Sequence, residues 1–110
     1  MLSVKEGVKL GGIQPEIIVA LIVIESIFHE IRIPCMLTSA EDSNQHMPSS
    51  YHYKGLAVDI RLPSKYIDNV PSIDLNLANS IRNALGSEYD VVLESSHIHV
   101  EYDPKASPIA

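Results

Sequence analysis

The chain has no tryptophan, one phenylalanine and one cysteine among its 110 residues. With so few large rings, the core has to be assembled from Ile, Leu, Val and Ala. A lone cysteine excludes an internal disulfide and any metal site made of thiolates alone. Cys35 stands among Ile33, Pro34, Met36 and Leu37 and reads as a small buried hydrophobe. Positive charge is scarce too: eight Lys and Arg against fourteen Asp and Glu leave a formal charge of -6. A general nucleic-acid binder needs clustered Lys and Arg for phosphates, so none is expected here. A polybasic membrane anchor is excluded on the same ground. Long hydrophobic runs are also missing. The most apolar stretch, Ile17 to Ile24, falls well short of the roughly 20 residues of a membrane span. Gly11, Gly12, Pro15 and Glu16 precede it and Glu25 follows, which does not match the basic start and small-residue cleavage site of a secretory signal. No signal peptide is expected.

What is present is a hydrophobic content of 45%, ordinary for a folded chain, in a length that suits one domain spanning residues 1–110. Pro15 followed by Glu16 marks a helix start, because proline loses no needed N–H in the first turn and the acid suits the positive end. Apolar residues then fill most of the circumference from Ile17 to Ile31, which predicts a helix buried on several sides and stopped before Pro34. Met36 to Thr38 reads as a short strand, and Ala40 to Ser50 as a polar loop. Leu56 to Leu62 reads as a strand and Pro63 to Pro71 as a connector. Ser72 is the expected N-cap of a second helix, Ile73 to Leu85, with Gly86 as its stop. Tyr89 to Leu93 and His97 to Tyr102 read as strands around a turn at Glu94 to Ser96, and Pro104 to Ala110 as a tail. This order points to an α+β domain with a small antiparallel β-sheet packed against helices.

Four of the five histidines fall in two patches: His46 and His52, then His97 and His99. The first patch continues as Ser50-Tyr51-His52-Tyr53-Lys54-Gly55-Leu56-Ala57-Val58-Asp59. Gly55 can take a positive φ and let the chain fold back. Ala57 and Asp59 share a strand face, and the small Ala57 leaves room beside the carboxylate. The pattern could bring an imidazole and a carboxylate onto one cation. The second patch, Glu94-Ser95-Ser96-His97-Ile98-His99-Val100-Glu101, places His97, His99 and Glu101 on one strand face and Ile98 and Val100 on the other. Two histidines and an acid are a familiar zinc set that leaves a fourth position for water.

The first stretch matches Ser-x-His-x-x-Gly-x-Ala-x-Asp and the second supplies a late His-x-His. In both, the chain resembles the zinc D-Ala-D-Ala carboxypeptidases and dipeptidases of the lysostaphin, D-Ala-D-Ala peptidase and Sonic hedgehog superfamily. The run from His52 to Ile60, and Glu94-Ser95 before His97-Ile98-His99, are especially similar to the Hedgehog signalling domain and to small phage peptidoglycan peptidases. The resemblance covers roughly residues 35–103. It implies a Hedgehog/D-Ala-D-Ala-peptidase-like fold and a Zn2+ ion held by His52, Asp59 and His99. Glu94 would be the general base, with Glu101 as the rival acid or as support for a ligand. His97 would face the substrate or the oxyanion, or add a fourth ligand. Ser50 would buttress the site, and His46 falls where Hedgehog domains carry another active-site histidine. Two positions depart from the family. The base commonly stands three residues before the last ligand, where this chain has Ser96. The arginine that often precedes the first motif is replaced by Thr38-Ser39-Ala40-Glu41, so a substrate carboxylate would fall to Arg61, Lys54 or His46.

The expected function is therefore a zinc-dependent peptidase acting on D-Ala-containing peptidoglycan stem or cross-link peptides. It would be a phage lysin or virion-associated wall hydrolase, made in the cytoplasm and delivered by a holin or by particle injection. The alternative is a non-catalytic zinc-binding module, as in Hedgehog signalling domains. Neither a nucleic acid nor a membrane is an expected partner, and oligomeric state leaves no mark in the sequence.

Overall fold

A computed structural model describes residues 2–40 and 55–104. The chain begins with a three-residue strand, β1 (Leu2–Val4), and reaches a long helix, α1 (Pro15–Glu30), through a loop. Strands β2 (Cys35–Ser39) and β3 (Ala57–Arg61) come next among the described residues, then a 3-10 turn at Pro63–Lys65. Helix α2 (Ile73–Leu85) and the hairpin of β4 (Tyr89–Leu93) and β5 (His97–Tyr102) complete the fold. The five strands form one sheet in the order β1-β2-β3-β5-β4. The α+β class is as expected. The sheet, however, is mixed rather than antiparallel, because β1 runs parallel to β2 and pairs Leu2 with Cys35 and Val4 with Leu37. A three-residue edge strand is too short for any alternation to announce it.

Helix α1 opens with Pro15 in its first turn, after Gln14 in an extended conformation. Its end is set before Pro34 is reached. Arg32 adopts φ 60°, its N–H bonds to the carbonyl of His29, and Ile33 N–H bonds to Phe28. This is a Schellman closure, with buried Ile33 and Phe28 as its apolar partners. The helix is not buried on several sides. Ile17, Ala20, Leu21, Ile24 and Phe28 face the core, while Ile18, Val19 and Ile22 are more than half exposed. Apolar content alone cannot distinguish a core helix from one with a single covered face. Helix α2 keeps the expected ends, but Ser72 does not cap it with its side chain and instead sits in the left-handed region. The first turn is held by Asp74, whose carboxylate accepts from the backbone N–H (2.8 Å) and hydroxyl (2.7 Å) of Ser64 in the 3-10 turn. Gly86, at φ 87°, ends the helix.

Val58, Ile60, Ile98 and Val100 are fully buried in the core together with residues of both helices. Cys35 is buried with them, and burial pushes its thiol up to about 12. Tyr89 donates its hydroxyl to the Glu16 carbonyl at 2.8 Å, and Arg82 donates to the Val91 carbonyl at 2.6 Å; these bonds tie the hairpin to α1 and α2. Among the described residues no helix is long and apolar enough to cross a membrane.

Candidate metal centre

Because strand side chains alternate, the residues between the core positions of β3 and β5 point to the opposite face of the sheet. The register sets them side by side: Ala57 opposite Glu101, Asp59 opposite His99, and Arg61 opposite His97. One face of two adjacent strands therefore carries two imidazoles, two carboxylates and a guanidinium. Gly55 helps set this register. Its φ is +75°, its carbonyl accepts from Gln14 N–H at 2.9 Å, and a Cβ there would fall 1.9 Å from the Gly12 carbonyl oxygen. Only glycine fits that close approach, so β3 enters the sheet from a point fixed against the segment before α1.

Asp59 is buried, whereas His97 and His99 are half-buried. His99 Nδ1 lies 2.9 Å from Asp59 Oδ1, and His97 Nε2 lies 3.5 Å from the same oxygen. One ligand atom from each of the three residues falls within 4.8 Å of the others, so the group could hold a metal ion. Two imidazoles and a carboxylate are a donor set suited to a zinc-like cation. On its other side His99 Nε2 lies 2.7 Å from Glu101 Oε1. With both nitrogens protonated, the ring donates to a carboxylate at each end. The hydrogen bond to Asp59 is the main cause of a pKa raised to about 9, aided by Glu101 and opposed by partial burial. Glu101 in this position would fix the orientation of a metal-ligating imidazole. His97 is steadied by Ser96, whose Oγ lies 2.9 Å from its Nδ1.

Glu94 donates its backbone N–H to the His97 carbonyl at 2.9 Å, which closes the hairpin around Ser95 and Ser96. It continues the alternation of Asp90 and Val92, so its register position is on the face of Asp59 and His99, across from His97. Its parity along the chain is opposite to that of His99, but the hairpin reverses the strand and brings both positions to one face. The Glu94 side chain is exposed. His46, Ser50, His52 and Lys54 lie outside the described residues.

A cleft of about 350 Å³ opens beside Asp59 and His97, with Thr38 and Ser39 of β2, Arg61 and Ser96 in its wall. Thr38 Oγ1 donates to the Asp59 carbonyl at 3.4 Å. Arg61, named from sequence as a substrate contact, lines this cleft. Two further cations there, Lys5 and Lys65, escaped sequence reasoning. Lys5 arrives because its N–H bonds to the Leu37 carbonyl at the end of the parallel β1 pairing, and Lys65 because the 3-10 turn follows β3 directly. Neither placement has a local sequence signal. No protein-family model, curated protein or solved structure matches the chain.

Proposed function

We propose that this protein is a zinc-dependent peptidase that hydrolyses D-Ala-containing peptidoglycan peptides, with a Hedgehog/D-Ala-D-Ala-peptidase-like fold. The observation that carries this reading is the convergence of Asp59, His97 and His99, of which Asp59 and His97 line an open cleft. When bound, zinc supplies Lewis acidity, which activates water at neutral pH and polarises a carbonyl. Asp59 and His99 would hold it, with His52 from outside the described residues as third ligand. Glu94, across the hairpin from His97, would take the proton from the attacking water and pass it to the leaving amine. His97, steadied by Ser96, would donate to the carbonyl oxygen as charge develops on it. Glu101 would hold the His99 ring in place.

One observation favours a second reading, a zinc module without turnover. His97 Nε2 is near enough to Asp59 to be a ligand itself, and four protein ligands would close the site. The test is release of new amines from purified peptidoglycan by the zinc-loaded chain and by Glu94→Ala, with metal content measured in both. Zinc-dependent cleavage by the wild type, lost in a variant that keeps its zinc, is the expected result. A folded, zinc-loaded wild type that releases no amines would overturn the peptidase reading in favour of the closed module.

A further inference from the structure

We propose that the open side of β1 and α1 docks a second copy of this chain, related by a two-fold axis, so that β1 pairs antiparallel with its counterpart and the two α1 helices pack across the seam. This does not depend on the peptidase reading.

The first argument is the state of the two sheet edges. β1 and β4 end the strand order β1-β2-β3-β5-β4. At β4 the Val91 carbonyl is taken by Arg82, the kind of cover that keeps an edge from pairing. At β1, Lys5 N–H bonds to the Leu37 carbonyl, so Lys5 and Ser3 direct their backbone groups to β2. By alternation Leu2 and Val4 direct theirs outward. Among the described residues nothing bonds to these outward groups. A two-fold pairing centred on Ser3 sets Leu2 of one copy opposite Val4 of the other and satisfies both.

The second argument is the helix beside that edge. Ile18, Ile22, Glu25 and His29 stand at i, i+4, i+7 and i+11, one stripe down the flank of α1. Ile18 and Ile22 are 51% and 66% exposed. With Leu2, Leu21 and Glu25 they line a groove of about 310 Å³ between the helix and the edge strand. Val4, 39% exposed, shares the strand face of Leu2. Open strand groups and bare isoleucines along one line call for a partner with both a strand edge and an apolar helix flank. A second copy supplies the two together. The charges match too: Glu25 is acidic and Arg32, beyond the helix end on the same side, is basic. Antiparallel helices set such residues acid against base.

The third argument is area. With 16 residues α1 is about 24 Å long. Over the depth of a helix and a sheet edge, about 15–20 Å, this side offers about 400–500 Å² per copy. A total near 1,000 Å² is the lower bound of a specific interface, which places Kd in the micromolar range. The two-fold leaves both metal-bearing faces on one side of a continuous ten-stranded sheet, with centres roughly 30 Å apart.

The test is sedimentation equilibrium of the full chain from about 1 to about 500 µM. Ile22→Glu, Val4→Pro and Val19→Glu are run alongside, with folding checked by circular dichroism. Ile22 is exposed, and the Val4 N–H that proline removes points away from β2, so both changes should spare the fold. Val19, 55% exposed and outside the groove, is the charge control. The expected result is a mass rising from 12.1 kDa to twice that value. Kd should rise roughly tenfold or more in Ile22→Glu and in Val4→Pro, and hold in Val19→Glu. A monomer at every concentration overturns the proposal, and one that sediments with phosphatidylcholine vesicles gives the face to a lipid surface instead. A dimer that both seam variants leave intact, or that Val19→Glu weakens equally, overturns this seam. Loss of the dimer in only one seam variant overturns the joint use of strand and helix.

Discussion

On β3 and β5, consecutive residues belong to two different environments. Val58, Ile60, Ile98 and Val100 are fully buried against the helices, while Asp59, Arg61, His97, His99 and Glu101 stand on the opposite face. The backbone hydrogen bonds are common to both, so the difference lies in the side chains alone. One face contributes stability by removing apolar surface from water. The other gathers buried and half-buried polar groups whose contribution depends on their protonation and which are held in place by the first. Substitutions at neighbouring positions should therefore fail in different ways.

The sharpest separation is expected at Ile98 and His99. Ile98→Ala should lose about 2–5 kcal/mol of stability, read from the denaturant midpoint, because it opens a cavity in a fully buried position. Zinc affinity of the folded fraction should barely change. His99→Ala should instead show a fall in zinc affinity beyond the ~10–100-fold expected for removing a supporting partner, with a stability loss that depends on pH and shrinks as the pH rises through about 9. If His99→Ala binds zinc as the wild type does, the metal centre is misassigned. If the two variants lose stability alike and with the same pH dependence, the two faces are not separable.

Much of this division can be read from the sequence, because alternation is a local property. His97, His99 and Glu101 opposite Ile98 and Val100, and Ala57 with Asp59, follow from parity once the strands are recognised. The registers between strands are not local. Nothing within β3 states that Asp59 pairs with His99 rather than with a neighbour; in the sequence, only the motif resemblance links the two. Glu94 and His99 likewise have opposite parity along the chain, yet the hairpin reversal puts their positions on one face. Lys5 and Lys65 were illegible for a related reason: one reaches the cleft through a parallel edge strand of three residues, the other through a turn with no periodicity. The exposure of Ile18, Val19 and Ile22 on α1 was missed because composition counts apolar residues without saying which side meets the sheet.

A smaller effect should appear in the proton balance of the polar face. In the metal-free protein His99 has a pKa raised to about 9, above the ordinary 6.5. A raised value means that the protonated ring stabilises the folded state. That contribution is complete below about pH 6.5 and is lost as the pH rises through about 9. A metal ion has to displace the proton from the ligating nitrogen. Zinc binding at pH 7 should thus release about one proton from His99, and less as the pH approaches 9. Calorimetry in two buffers of different ionisation enthalpy measures the release. Glu101→Gln removes one of the carboxylates that hold this proton, so it should lower the metal-free pKa and weaken zinc binding about 10–100-fold. Zinc binding with no proton release at pH 7 would mean that the ion does not engage this nitrogen.

The smallest expected difference is also the cleanest, because it compares one residue type at adjacent positions. Val91 and Val92 both lie in β4, the sheet's edge strand, opposite Val100 and His99. Val91 is 5% exposed and Val92 43%. Val91→Ala removes buried methyl groups and should cost about 2 kcal/mol. Val92→Ala loses little burial, and only the strand preference of a branched side chain should be felt, under about 1 kcal/mol. The gap of roughly 1–2 kcal/mol between the two measures how much of the sheet's stability comes from the helix-covered face alone. Equal costs would mean that the face bearing His97 and His99 is packed as tightly as the core. A substrate cleft needs solvent access on that side, so equal costs would count against an open site there and favour the closed zinc module.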